Sequence, residues 1–128
     1  MSRIATPQTG TDAVPPSSLV GTILPGVLLI EDYEGKSAIE HVMPRTPDGA
    51  EAAPVRTSWW SVEPGCTSFP DRHAVQELWL IAAGSGRMSL GDQSLDVRAG
   101  QVVFIPSQEP HTVTATGPDA LEAYSIWW

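Results

Sequence analysis

The sequence predicts an all-β fold, a barrel or sandwich built from short antiparallel strands. Apolar or alternating runs of strand length recur about every ten residues, and segments rich in Gly and Pro separate them. No stretch shows the period expected of a helix of three or more turns. With 128 residues, the chain is long enough for one domain with a hydrophobic core and too short for two.

Individual strands are predicted from apolar runs and alternation that end in turn residues. In chain order they are residues 27–30, 36–43, 55–63, 75–82, 87–90, 93–98, 101–105, 111–116 and 120–128. Gly91-Asp92 is the expected turn of a tight hairpin, and Gly84-Ser85-Gly86 is expected to be a turn as well. Residues 1–18 are rich in Ser, Thr and Pro, which predicts a flexible N-terminal arm and leaves residues 19–128 as a single domain.

Charge and cysteine content narrow the class of partner and the compartment. The chain has 7 basic and 15 acidic residues and a net charge of -8, so nucleic acid and anionic membranes are not expected partners. Cys66 is the only cysteine, which excludes an internal disulfide and agrees with a reducing compartment. The chain has no apolar run of about 20 residues and no basic-then-apolar N-terminus, so we expect a cytoplasmic protein.

Glu77 stands at the entrance of a run that is otherwise typical of a core strand. Its neighbours Leu78, Trp79 and Leu80 are large and apolar, and a buried carboxylate is costly unless it is neutralised, paired or bound to a cation. Asp71 and His73 lie two residues apart, on the same face of an extended chain. This grouping of carboxylates and imidazole favours a metal site.

The same stretch resembles the first signature of the cupin superfamily. That signature has a glycine, five residues, His-x-His, three or four residues, a glutamate, six residues and a glycine. The positions that match it are Gly65, His73, Glu77 and Gly84, with Asp71 where the first histidine is expected. The second signature is matched by Gly100, Pro106 and His111, whereas Gln108 replaces its glycine and Ala115 its asparagine.

The resemblance implies a small antiparallel jelly-roll barrel, the double-stranded β-helix of cupins, with a metal in its mouth. It also implies four metal ligands, Asp71, His73, Glu77 and His111. For Asp71 the sequence leaves a second interpretation open, a turn residue that caps a backbone amide. Two imidazoles and two carboxylates suit a divalent transition metal, Fe²⁺, Mn²⁺, Ni²⁺, Co²⁺ or Zn²⁺.

The role of Glu77 decides which chemistry the site would perform. If Glu77 stays off the metal, Asp71, His73 and His111 form a facial set that leaves open positions for substrate and dioxygen. If all four residues coordinate, a Lewis acid that polarises a carbonyl or enolate oxygen is expected, as in an isomerase, lyase or cyclase. Glu77 is therefore the candidate catalytic residue.

Three functions remain open at this point. The first is a metal-dependent enzyme acting on a small, partly apolar carboxylate, enol or phenol, as the resemblance implies. The second is a non-catalytic ligand-binding or sensing module, and the third is a barrel that has lost its metal.

Strand alternation predicts the lining of the pocket. Trp79 shares the face of Glu77, and Val113 shares the face of His111. Arg56 and Trp60 would add contacts if their strand face is the inner one, so the candidate substrate-binding residues are Arg56, Trp60, Trp79 and Val113. These side chains favour a small organic ligand with one oxygen-bearing group for the metal.

The last predicted strand carries large apolar residues on both faces. Residues 123–128 include a tyrosine, an isoleucine and two tryptophans, and a single barrel can bury only one face of a strand. A large exposed apolar patch usually marks an interface, so we expect a homodimer packed sheet to sheet. The competing explanation is that residues 19–43 fold back over that face within one chain.

Overall fold

The computed structural model describes Leu19 and residues 21–128, and within that part of the chain it is all-β. The predicted arm of residues 1–18 lies outside the described residues. Nine strands are present: β1 (Gly26–Tyr33), β2 (Lys36–His41), β3 (Arg56–Val62), β4 (Glu77–Ala83), β5 (Ser85–Leu90), β6 (Gln93–Arg98), β7 (Val102–Ile105), β8 (His111–Ala115) and β9 (Leu121–Trp127). Each strand lies at a predicted position, which confirms the fold class.

Two antiparallel sheets form the barrel. One has six strands in the order β1-β2-β3-β9-β4-β7, and the other has three strands in the order β6-β5-β8. Their inner faces share one hydrophobic core, to which the larger sheet contributes Val62 and Ile81 and the smaller sheet Met88 and Val113. All four side chains are almost fully buried. The core therefore lies between the two sheets, as in a jelly roll.

Alternation along each strand decides which side chains reach this interior. In β4 the buried positions are Glu77, Trp79 and Ile81, and in β8 they are His111, Val113 and Ala115. The intervening residues of both strands are more exposed, as the period of two residues requires. The predicted inward faces of these two strands are thus confirmed.

Strand β9 lies inside the larger sheet, between β3 and β4. It pairs with β3 along its whole length, from Arg56 opposite Trp127 to Val62 opposite Leu121, and with β4 on its other side. Strands that lie far apart in sequence therefore meet at the centre of the sheet.

One predicted turn is shorter than expected. The tight hairpin at Gly91-Asp92 is confirmed, since Leu90 pairs with Gln93. At Gly84-Ser85-Gly86, however, β4 ends at Ala83 and β5 already begins at Ser85, so Gly84 alone changes the chain direction, with φ of 78°. Gly86 lies inside β5, where a Cβ atom would come 2.8 Å from Val113 Cγ2. Close packing, not a turn, explains that glycine.

Gly84 is the position where we expect an alanine to be most harmful to the fold. A Cβ there would collide with the Ala120 carbonyl, and the positive φ adds strain of its own. Gly100 is a matched control because its φ is 92° and a Cβ would meet no atom within 4 Å. We expect Gly84→Ala to lower the free energy of unfolding by about 2 kcal/mol more than Gly100→Ala, measured by urea denaturation. Equal losses in the two variants would contradict the steric argument.

The outer face of the larger sheet carries a continuous apolar row, here called the outer ladder. Its members are directly opposite one another on successive strands: Val102, Leu80, Tyr124, Trp59, Ile39 and Leu28. Val102 is 59% exposed, Leu28 54% and Tyr124 44%. Strands β1 and β2 extend this sheet at one edge and do not fold over its outer face.

Candidate metal centre

The predicted ligands meet at the mouth of the barrel, where strands β4 and β8 begin. Glu77 is the first residue of β4, and His111 is the first residue of β8. Asp71 forms an isolated bridge with His111 through two backbone hydrogen bonds of 3.0 and 2.9 Å. This bridge places the Asp71 and His73 segment beside β8, so residues distant in sequence are brought together by backbone pairing.

Both imidazoles converge on one oxygen of Glu77. His73 Nε2 lies 2.9 Å from Glu77 Oε1, and His111 Nε2 lies 3.5 Å from the same oxygen. Asp71 Oδ2 is 4.0 Å from His73 Nε2. Asp71, His73 and His111 each offer a ligand atom, and these atoms lie within 4.8 Å of one another. The four side chains predicted as ligands therefore form one cluster.

Backbone carbonyls determine which nitrogen of each ring faces the cluster. His73 Nδ1 lies 3.1 Å from the Val75 carbonyl oxygen, and His111 Nδ1 lies 2.9 Å from that of Glu109. A carbonyl only accepts hydrogen bonds, so both Nδ1 atoms carry the proton and donate it. A neutral ring held in this way would direct its Nε2 lone pair at the Glu77 carboxylate, which is itself an acceptor. The two nitrogen lone pairs and the carboxylate oxygen repel one another unless a proton or a metal cation lies between them.

The donor set fits a transition metal ion. Nitrogen and oxygen ligands about 2.1 Å from a common ion lie roughly 3.0 to 4.2 Å from one another, depending on the angle between them. The separations of 3.5 and 4.0 Å lie within that range, and the separation of 2.9 Å lies at its lower limit. The carbonyl bonds at Nδ1 are also the outer contacts that orient metal-binding histidines in proteins.

Asp71 caps a backbone amide, as one of its two interpretations expected, and its second oxygen faces the candidate ligands. Its Oδ1 accepts a 2.8 Å hydrogen bond from the Arg72 backbone amide, and its Oδ2 faces His73. Its side chain is largely exposed, unlike that of Glu77. The hydrogen bond from Arg72 thus fixes the Asp71 side chain, and Oδ2 lies on the exposed side of the cluster.

Burial and pairing act in opposite directions on the two buried ionisable groups. Burial alone would raise the pKa of Glu77, but hydrogen bonds with His111, Ser125 and His73 lower this pKa below its usual value. Burial alone would lower the pKa of His111, and its bonds to Glu77 and the Glu109 carbonyl raise this pKa instead. A metal ion must therefore displace a proton that His111 retains to higher pH than an ordinary histidine.

A cavity of about 450 Å³ opens over this cluster. Trp60 and Trp79 form one wall, with their ring centroids 4.8 Å apart in an edge-to-face arrangement. Trp60 Nε1 donates to Ser125 Oγ at 2.8 Å, and Trp79 meets the His111 ring edge to face. The aromatic wall is fixed in place and lies directly beside the candidate ligands.

Two of the four candidate substrate-binding residues line this cavity. Trp60 and Trp79 do so, which identifies the inner face of β3 as the one carrying Trp60. Arg56 lies on the same face of β3 but at the end of the strand. Its guanidinium pairs with the Glu51 carboxylate at 2.7 Å, and Arg56 does not line the cavity. Val113 is completely buried in the core and does not reach the cavity.

Several lining residues were not predicted, among them Lys36, Phe69 and Ser125. Lys36 begins a predicted strand and Phe69 precedes Asp71 in a loop, and neither position carries a local signal for a pocket. Ser125 contacts Glu77 from β9. The alternation of β9, which places Ser125 on the face of Leu121 and Ala123, is the sequence signal that identifies Ser125.

The chain's cysteine, Cys66, and its third histidine, His41, lie outside the candidate metal centre. Cys66 packs against the core. His41 lies within hydrogen-bonding distance of Thr57 at 2.8 Å.

The class of this protein is a jelly-roll β-barrel with histidines and carboxylates, a candidate metal site, at one mouth. The cupin domain model matches residues 58–127, and the chain belongs to the cupin family. The match begins in β3 and ends in β9, so it contains every candidate ligand.

Solved structures agree with this assignment. A cupin 2 conserved barrel domain protein from Salinispora arenicola is 25% identical, covers 78% of this chain and 81% of its own, and has a TM-score of 0.64. A cupin 2 domain-containing protein from Halorhodospira halophila is also 25% identical, with coverage of 77% and 67% and a TM-score of 0.63. A predicted oxalate decarboxylase from Thermotoga maritima is 18% identical, with coverage of 81% and 91% and a TM-score of 0.57. At that identity the likeness shows the fold alone.

Among the residues that the structure describes, no helix has the length and apolar character needed to cross a membrane.

Proposed function

We propose that this cupin is a metal-dependent enzyme that acts on a small, partly apolar organic substrate through one substrate oxygen. The observation that carries the proposal is the convergence of His73 Nε2, His111 Nε2 and Glu77 Oε1 beside an aromatic-walled cavity. A cavity of about 450 Å³ is of the size that small-molecule sites usually have.

The residues that would hold the metal are Asp71, His73, Glu77 and His111. When bound there, a divalent transition metal supplies a Lewis acid that polarises a carbonyl or enolate oxygen. The short distance from Glu77 to both imidazoles favours this four-residue set over the three-residue set associated with oxygen activation. The proposed reaction class is therefore isomerisation, elimination or cyclisation.

The chain's own residues would orient the substrate and manage its proton. The edge-to-face pair of Trp60 and Trp79 provides a rigid apolar wall that excludes water from one side of the substrate. Glu77 would offer Oε1, which both imidazoles approach, to the metal, and its other carboxylate oxygen would accept a proton from a carbon next to the substrate oxygen. Its lowered pKa favours the ionised form that this role requires. Ser125 accepts a hydrogen bond from Trp60 and is also a hydrogen-bond partner of Glu77. It therefore connects the aromatic wall of the cavity with the proposed base.

A turnover screen tests this proposal. Metal-loaded protein is incubated with small hydroxy acids, keto acids, enols and phenols, while NMR follows products and an electrode follows dioxygen. We expect product formation without dioxygen consumption, and loss of the product with His73→Ala. Dioxygen consumed in step with product would replace the proposal with an oxygenase. Binding of the compounds without any product would replace it with a ligand-binding module.

We also propose that a second copy of the chain covers the outer ladder. The competing explanation, cover by residues 19–43 of the same chain, finds no support in β1 and β2, because both strands lie within the same sheet. The six strands, spaced about 4.8 Å apart, span roughly 24 Å. Each copy carries the same uncharged row, so two ladders can pack face to face as a symmetric pair without an unpaired charge.

A further inference from the structure

Lys36 is a buried cation in the cavity that lacks a comparably buried partner. The residue is only 9% exposed, at the start of β2, and it lines the same cavity as the candidate metal centre. Its ammonium donates weakly to the Glu34 carbonyl at 3.4 Å and lies 4.6 Å from the centroid of the Phe69 ring. Lysine is rarely buried to this degree without a counter-charge.

The carboxylate nearest to this ammonium does not compensate for its burial. Glu34 Oε2 lies 3.6 Å from Lys36 Nζ, but the Glu34 side chain is 67% exposed, and such solvated pairs contribute little. Glu34 is also absent from the cavity lining. The ammonium therefore retains an unmet preference for an anion on its cavity side.

Among the residues that the structure describes, Lys36 is also the only lysine or arginine that lines the cavity. The other charged groups there are the carboxylates of Glu40, Asp71 and Glu77, which repel an anion, and the imidazoles of the metal centre. One ammonium opposed by several carboxylates suits a single negative charge better than a phosphate dianion. Phe69, beside the ammonium, provides an apolar surface for the body of the ligand.

We infer that Lys36 binds a carboxylate group of the substrate. The substrate class is a small monocarboxylate with an apolar or aromatic body and a second oxygen, a hydroxyl, keto or enol group, for the metal centre. This inference rests on the proposed function, and it assigns Lys36 as the residue that selects acids over their neutral analogues.

The experiment compares mandelate and benzoylformate with mandelamide and benzoylformamide. Quenching of tryptophan fluorescence reports binding, since Trp60 and Trp79 line the cavity. A charge-assisted hydrogen bond contributes about 1.5 to 3 kcal/mol, so metal-loaded protein is expected to bind each acid about tenfold or more tightly than its amide. Lys36→Met should remove this preference, and Lys36→Arg should retain most of it. Lys36→Gln replaces Lys36→Met if the latter does not fold.

The control is Arg87→Met, which removes an exposed cation paired with Asp96 on the other sheet. It changes the net charge equally and should leave the preference for acids unchanged. A preference that survives in the folded Lys36 variants, or no preference in the wild-type protein, would overturn the inference. The metal content of each protein is measured in parallel. If Lys36→Met binds a full complement of metal and loses the preference for acids, the effect is due to Lys36 and not to the metal centre. If the wild-type protein takes up no metal, the proposed function is refuted.

Discussion

His111→Ala is expected to reduce the metal content of the purified protein from about one ion per chain to a small fraction of that. His111 is almost fully buried, and its Nε2 faces the cluster because the Glu109 carbonyl holds Nδ1. Loss of a mere outer contact to a metal-binding histidine weakens metal affinity by about 10- to 100-fold, so loss of the imidazole itself should weaken it by at least a hundredfold. Elemental analysis after dialysis against a weak chelator measures the effect.

The control for this prediction is His41→Ala. It removes an imidazole that contacts Thr57, away from the cluster, and should leave the metal content unchanged. His73→Ala should behave like His111→Ala, and His111→Gln tests the same loss with less disturbance of packing. Circular dichroism verifies that each variant is folded. A full metal complement in folded His73 and His111 variants would refute the site assignment.

The second large effect is expected from Tyr124→Glu on the outer face. Tyr124 lies within the outer ladder, between Leu80 and Trp59. In a dimer packed on this ladder, the new carboxylate would be buried without a partner, at a cost of several kcal/mol. The wild-type protein should sediment at micromolar concentration as a dimer, with twice the chain mass of 13.7 kDa, and Tyr124→Glu should sediment as a monomer.

Ser94→Glu provides the matched control, because Ser94 is exposed on β6 in the smaller sheet. It adds the same charge and should leave the dimer intact. A wild-type monomer that stays soluble would eliminate the proposed interface. Dissociation caused equally by both variants would show that net charge, not the outer ladder, controls association.

The parts of the fold that follow a two-residue period are predictable from sequence. Glu77, Trp79 and Ile81 were expected on one face because alternate residues of a strand share a side, and burial confirms this face. The clustering of His73 with His111 was expected only from the family resemblance. The backbone bridge between Asp71 and His111 joins segments that lie far apart in sequence, and local patterns carry no signal for such a bridge.

Other features depend on tertiary contacts alone. Gly86 was assigned to a turn because glycine is common in turns, yet the approach of Val113 and Leu121 is what excludes a side chain there. Lys36 looks like a surface lysine beside Gly35, and only the position of Phe69 shows that its ammonium is covered. Arg56 has the parity of an inner residue, but Glu51 holds it outside the cavity.

The central position of β9 has a consequence for how the protein acquires its activity. Trp60 and Ser125 are 65 residues apart and bonded to each other, and β4 completes its pairing only when β9 is present. Closure of such distant contacts is slow, and strands that await their partner are prone to aggregation. Without β9, the edge of β3 opposite β2 and the edge of β4 opposite β7 would have no partner. The cavity wall and the β4 end of the candidate metal centre therefore form together with β9, because Ser125 and the pairing partner of β4 both come from that strand.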